Sequence, residues 1–387
     1  MLIRSVVQRV IDSPITQVGR WKSRAASDLP LIDVSQAAPT YPPAQELRDH
    51  IAFQAQSPAT ATYTDQQGIL PLREALARNL TTDYDAPVAA YQVAVTAGCN
   101  QAFCLAMMAL TEPGDEVLVP LPSYFNHDMW LRSQDVRPVY LEPGPDMMPD
   151  PDDAAAAVTP ATRAIVLVTP NNPTGAVYPP DLLERFFELA KSRGLALVID
   201  ETYREFREHS DPAHRLFARS DWSDTLIHLY SFSKAYCMAG YRIGCMATNP
   251  ALLRETLKIA DCVALCPSHI GQLAANFCLE HLDDWKRDYR RTVRDRVAYA
   301  ARRIREANTD FEVASYGGYF VYLRHHCTDR SSASVGRSLA EDHGILCLAG
   351  SMFGPGQDRY LRLAFANVDL PVIDELVDRL ENLGAAG

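Results

Sequence analysis

The sequence predicts an α/β fold, with a large unit built on a mostly parallel sheet of seven strands and a smaller α/β unit after it. Three observations carry that prediction. Between about residues 90 and 250, short β-branched runs alternate with helix-like stretches, and strand and helix in turn read as βαβ units. The length, 387 residues, accommodates two or three domain-sized units with a sizeable core. After that alternation, a long amphipathic stretch begins near residue 283.

Strands are expected at 92–96, 116–119, 136–141, 163–168, 195–199, 226–230 and 243–248, with helices at 99–110, after Ser123 and at 180–192. In such sheets ligands sit beyond the carboxyl ends of the strands, so the chemistry is to be sought there. From 283 to 308 the chain reads as one helix, because Trp285, Tyr289, Val293 and Val297 recur every four residues and Ile304 follows. Its nine Lys and Arg residues are interrupted by Asp283, Asp284, Asp288, Asp295 and Glu306, the pattern of a solvated face rather than a nucleic-acid helix. A final helix is expected over 371–383, and the proline-rich stretch 39–43 reads as an entry arm.

Composition narrows the function. A charged fraction of 22% with 9% aromatic residues is that of a globular chain. The net charge of −11 argues against nucleic acid, since a backbone reader needs a positive field. No apolar run approaches the ~20 residues that span a bilayer, and Arg4 and Arg9 interrupt the only stretch available for a signal peptide. Nine scattered cysteines fit reduced thiols, and Cys262 with Cys266 lacks a second pair to complete a zinc site. The expectation is a soluble, cytoplasmic protein with no metal and no membrane or nucleic-acid partner.

Several residues at expected strand ends carry chemistry. Lys234, in Ser231-Phe232-Ser233-Lys234, follows the strand at 226–230, with Arg242 eight residues on. Alone it reads as a surface lysine; in a pocket beside another cation its amine is partly neutral and able to form a Schiff base with an aldehyde cofactor. Asp200 ends the strand at 195–199 and reads either as a helix N-cap or as a carboxylate facing a ring nitrogen. Tyr203 and Asn172 are positioned to reach the phenolic oxygen of the same ring, although Asn171-Asn172-Pro173-Thr174-Gly175 is also an ordinary βα turn. Gly98, Cys99 and Asn100 open the helix at 99–110, where backbone N–H groups form an anion site. Ser231, Ser233 and Arg242 are available to the same anion. Tyr124 is either a core aromatic or a ring stacked on a planar cofactor.

Taken as an ordered set, NNPTG, DETY, SFSK and YRIG resemble the class I/II aminotransferases, the aspartate aminotransferase-like enzymes of fold type I that use pyridoxal 5′-phosphate. The resemblance runs from about residue 30 to 385, through Tyr63 in YTDQQG and Arg362 in RLAFA. It implies that Lys234 carries the cofactor as a Schiff base, Asp200 pairs with its ring nitrogen, and Asn172 and Tyr203 bind its phenolic oxygen. Gly98, Cys99, Asn100, Ser231, Ser233 and Arg242 would surround the phosphate, Tyr124 would stack on the ring, and His127 would support Asp200. Arg362 would clamp the substrate carboxylate, with Asn172 and Ala38 beside it. Tyr63 would reach the neighbouring subunit's cofactor, implying a homodimer with shared sites. The implied division is an N-terminal arm over 1–45 packing with the small domain, a large cofactor-binding domain over 46–282 and a small domain over 283–387.

There are departures from the family pattern. Ser35-Gln36-Ala37-Ala38-Pro39 stands where many relatives carry a glycine, Cys99 replaces Ala, Ser or Thr, and Tyr124 replaces the Trp of aspartate-specific relatives. No arginine is dedicated to a second carboxylate, and Gly317-Gly318-Tyr319-Phe320 resembles relatives acting on large neutral or aromatic amino acids. The reading is therefore transamination between an L-amino acid and a 2-oxo acid. A carbon–sulfur β-lyase or related eliminase on the same site is the alternative. A cofactor-binding regulatory module ranks last, because only about forty residues precede the resemblance.

Overall fold

The computed structural model describes residues 2–24, 29–39, 41–208 and 211–384. Its strands in chain order are β1 (Ile32–Asp33), β2 (Val93–Thr96), β3 (Glu116–Pro120), β4 (Arg137–Leu141), β5 (Thr162–Val168), β6 (Ala196–Asp200) and β7 (Leu226–Ser231). They continue as β8 (Gly244–Ala247), β9 (Phe311–Gly317), β10 (Phe320–His325), β11 (Ile345–Leu346), β12 (Leu348–Ala349) and β13 (Tyr360–Ala364). The strands β2 to β8 form one sheet in the order β2-β8-β7-β6-β5-β3-β4. Pairing is parallel from β7 through β4, and β8 runs antiparallel to both its neighbours. A parallel neighbour needs a helical crossover of a dozen or more residues. The link from β7 to β8 holds only the short helix Phe232–Ala235 and the turn leading to Arg242, so the chain comes straight back.

The seven strands lie within two residues of their expected positions. Every residue of β2, β3, β7 and β8 is buried, as befits a sheet covered on both faces. The helix Cys99–Leu110 has its expected bounds. Pro180–Arg193 ends on Gly194, whose left-handed φ of 65° closes the last turn. In Asp283–Glu306 the stripe Tyr289, Val293, Val297 and Ile304 is buried, and basic residues on its outer face meet acids such as Asp284 and Asp374. The helices Pro14–Lys22, Gln45–Gln54 and Leu70–Tyr84 have no counterpart in the sequence reading. Two of them carry proline in the first turn, where it is tolerated, so a residue that looks like a breaker marks a start.

A second, antiparallel sheet has the order β12-β13-β10-β9. It shares a core with Asp283–Glu306 and Leu370–Gly384. Near the N-terminus, β1 pairs in parallel with β11, and Val34 packs into that second core. The two sheets touch where the turn at Gly175 meets the β9–β10 hairpin. A Cβ on Gly175 would lie 2.3 Å from Gly317 N, so neither backbone leaves room for a side chain. No helix among the described residues is long and apolar enough to cross a membrane.

Candidate active site

A cavity of about 160 Å³ opens at the carboxyl ends of the parallel strands. Cys99, Asn100, Tyr124, Asn172, Asp200, Tyr203, Ser231, Ser233, Lys234 and Arg242 line it, and all ten were singled out in the sequence. The fold brings them together because they lie at strand ends: β2 leads to Cys99, β3 to Tyr124 and β5 to Asn172, β6 ends on Asp200, β7 ends on Ser231 and leads to Lys234, and Arg242 precedes β8.

One end of the cavity suits an anion. Gly98, at φ 84°, caps the helix Cys99–Leu110 and turns its free N–H groups inward. A Cβ there would meet Arg242 Nη2 at 2.4 Å, so the guanidinium lies directly against the glycine backbone. Arg242 has a left-handed φ of 55° and donates to the carbonyls of Ala239 at 2.9 Å and Ala97 at 3.4 Å. The Ser231 hydroxyl accepts from the Ser233 N–H at 3.2 Å and stands 2.9 Å from the Ser233 hydroxyl.

At the other end is Asp200. Burial pushes its carboxyl up, but the His127 ring beside it and hydrogen bonding from Thr202 outweigh that and hold it below the usual carboxylate range. The His127 ring nitrogen stands 3.5 Å from the carboxylate, and its ring stacks on Phe103 with centroids 3.9 Å apart. The Thr202 N–H donates to Asp200 at 2.9 Å. Tyr124 sets its ring edge-on to His127 and accepts a hydrogen bond from the Asn126 amide at 3.1 Å.

Lys234 stands between these ends. Burial first, then the positive charges of Arg362 and Arg242, lower its amine to about 8. Its Nζ donates to the Ala37 carbonyl. Arg362, 2% exposed, donates to Asn172 Oδ1 at 3.0 Å and to the Ser35 carbonyl, while its buried Nε has no partner. Burial lowers this guanidinium to about 10. Segment 35–37 therefore meets Arg362 and Lys234 through the backbone carbonyls of Ser35 and Ala37. Tyr63 is 80% exposed and does not line the cavity.

Two lining residues were missed, Val168 and Thr202. Thr202 left a signal, because Asp followed two residues later by a backbone donor is an Asx-turn. Val168 left none; it is one more apolar residue at a strand end.

The chain belongs to the aminotransferase class I and II family, whose model matches residues 24–380, and it is a transaminase. It is 28% identical over 364 residues to the aspartate aminotransferase of Sulfolobus acidocaldarius, covering 90% of this chain and 89% of that one. It is 27% identical over 373 residues to the aromatic aminotransferase ISS1 of Arabidopsis thaliana, covering 93% and 91%. Among solved structures, the Thermotoga maritima aspartate aminotransferase superposes with a TM-score of 0.89 at 23% identity, covering 99% and 100% of the two chains. The alanine aminotransferase of Pyrococcus furiosus gives 0.90 at 22%, covering all of both. These likenesses establish the fold type I architecture.

The family uses pyridoxal 5′-phosphate, and the cavity fits it. Helix-terminal N–H groups, two serines and an arginine match a dianionic phosphate. A buried carboxylate held ionised matches a protonated ring nitrogen, and a lysine with a lowered pKa lies between them.

Proposed function

We propose that this transaminase moves the amino group of an L-amino acid, large neutral or aromatic by preference, to a 2-oxo acid, with pyridoxal 5′-phosphate attached through Lys234. The observation that carries this reading is the placing of Lys234 Nζ in a buried cavity beside two guanidinium groups and opposite Asp200. The cofactor, when bound, supplies an aldehyde carbon to hold the amine and a ring to accept electrons from Cα.

This chain's residues supply the rest. Gly98, Cys99, Asn100, Ser231, Ser233 and Arg242 hold the phosphate, Asp200 keeps the ring nitrogen protonated, Tyr124 covers the ring, and Asn172 and Tyr203 face its phenolic oxygen. The Arg362 guanidinium binds the amino acid's carboxylate, giving up the Ser35 carbonyl and engaging its unpartnered Nε. That anchor turns the Cα–H bond toward Lys234 Nζ, which, released when the substrate amine takes its place, would accept the proton and pass it to the cofactor's aldehyde-derived carbon. The substrate preference rests on the Gly317-Gly318-Tyr319-Phe320 stretch; Phe320 and Phe353 pack on Arg362, their ring centres 5.0 and 5.4 Å from its guanidinium carbon.

The proposal includes a homodimer in which Tyr63 reaches the partner's cofactor. Its support is a set of exposed apolar side chains, Tyr63 with Phe53, Leu70 and Val263, that a second copy would cover. It also includes the division into an arm (1–45), a cofactor-binding domain (46–282) and a small domain (283–387), supported by the pairing of β1 with β11 and by the separate core around the second sheet.

The test is the visible absorbance of the cofactor-loaded protein titrated with a panel of amino acids. Phenylalanine, tyrosine or leucine is expected to bleach the band, and a 2-oxo acid to restore it. Accumulation of pyruvate and ammonia from a thioether amino acid, without need of a 2-oxo acid, would overturn the reading. So would a wild-type band in Lys234→Ala.

A further inference from the structure

Glu201 follows Asp200 directly, yet its side chain leaves the strand end on the opposite face, as consecutive residues of extended backbone do. Behind the sheet it is fully buried with His214 and His228, and Tyr84 is nearly so. One carboxylate oxygen, Oε2, is hydrogen-bonded by His228 Nε2 at 2.8 Å and by the Tyr84 hydroxyl, and His214 Nε2 stands 3.5 Å from it without bonding it. The Leu216 N–H donates to His214 Nδ1 at 3.3 Å, which leaves the ring proton on Nε2, facing the carboxylate.

The surroundings are aromatic. Tyr84 stacks on His214 with centroids 4.6 Å apart, and Phe217 lies 4.8 Å from Tyr84 and 5.4 Å from His228. Arg204, 5.8 Å from the Tyr84 ring centre, already meets acids of its own, Asp83 at 3.1 Å and Glu205 at 3.4 Å. A carboxylate taken out of water is costly unless donors replace the water. Burial pushes Glu201 up, but His214 and His228 outweigh it and hold the acid well below the ordinary range. No step of the proposed transfer uses these four residues.

Their place in the sheet supplies a role. The Glu201 N–H donates to the Leu229 carbonyl at 2.9 Å, and Leu229 is the register partner of Asp200. His228 is the partner of Ile199, so the carboxylate–imidazole contact ties β6 to β7 just beyond Asp200 and just before Ser231. Apolar packing would let two strand ends slide. An acceptor with two convergent donors and a third ring nitrogen close by has one low-energy position. We propose that Glu201 is a positioning residue: held by Tyr84, His214 and His228, it fixes the separation between Asp200 on one strand end and Ser231 and Lys234 on the next. This rests on the roles given to Asp200 and Lys234 above.

Glu201→Gln keeps the shape and removes the charge, and Tyr84→Phe removes one donor while leaving the ring stack. Four measurements compare each with the wild type: cofactor dissociation by equilibrium dialysis, visible circular dichroism of the loaded protein, kcat and KM for an amino-acid donor, and thermal unfolding. Glu201→Gln is expected to weaken cofactor retention and lower kcat about tenfold each. The KM is expected to stay within about twofold and the visible dichroism to change. Tyr84→Phe is expected to move retention and kcat in the same direction, about threefold. Unchanged retention, kcat and dichroism in Glu201→Gln overturn the proposal whatever the melting temperature does, because only a stabilising contact is then left. Should Glu201→Gln not fold, the same result in Tyr84→Phe overturns it. Failure of the underlying site is read separately, as a wild-type visible band in Lys234→Ala.

Discussion

Lys234 shows how burial converts an ordinary side chain into a reagent. Its amine falls from 10.5 to about 8 because the cavity strips its water and because Arg362 and Arg242 stand nearby. The neutral form that attacks a carbonyl is therefore abundant near pH 8, where an exposed lysine would be almost wholly protonated. The same shift has a stability sign. Between about pH 8 and 10.5 the unfolded lysine holds a proton that the folded one has lost, so stability rises with pH across that window. Below it, charging the buried amine opposes folding. Lys234→Met in the cofactor-free protein is expected to raise stability at pH 7 by on the order of 1–3 kcal/mol. That gain should shrink as pH climbs towards 10.5. Urea unfolding of both proteins at several pH values checks it; a gain independent of pH would mean that charge is not the cause.

At the level of strands and turns, the cavity is a set of strand ends held in register. The parallel pairs β5–β6 and β6–β7 place Asn172, Asp200 and Ser231 side by side, although they are far apart in sequence. The turn carrying Asn172 is closed by the Gly175 N–H donating to the Asn171 carbonyl at 2.8 Å. Gly175, at φ 75°, then lies flat against Gly317 of the β9–β10 hairpin. Gly175→Ala puts a methyl group into that contact at a φ that L-residues resist. It is expected to cost about 1–3 kcal/mol of stability and to disturb the Asn172–Arg362 bond. Thermal unfolding, with KM for the amino acid alongside, reads both effects. A variant as stable as the wild type would show that the two backbones can part freely.

For the molecule as a whole, Tyr63 stands exposed and off the cavity of its own chain. If it completes the partner's site, two defective chains can repair each other. Lys234→Ala lacks its own amine but still presents Tyr63, and Tyr63→Ala retains the amine but offers its partner nothing. Unfolded together, refolded and reassociated in equal amounts, they form hybrids with one intact site. Such a mixture is expected to recover about one quarter of wild-type activity, more than either variant alone. Activity no higher than the average of the separate variants rules out a shared site.

Much of this protein was legible before any coordinates. The seven strands and the helix Cys99–Leu110 follow from β-branched runs and turn residues, because local propensity and periodicity are written in consecutive residues. The ten cavity residues were legible because chemistry at a parallel sheet gathers at strand ends, so a Lys, an Asp or an Asn just past a strand is already addressed to one place. The reversed direction of β8 was not legible, since it depends on how the link after Lys234 is used. Nor was the use of backbone carbonyls by Lys234 and Arg362, because every residue carries one and only folding selects Ser35 and Ala37. The buried cluster on Glu201 joins Tyr84, His214 and His228 from separate stretches of chain. A contact of that kind depends on which faces pack together, and packing is a property of the assembled fold rather than of any run of sequence.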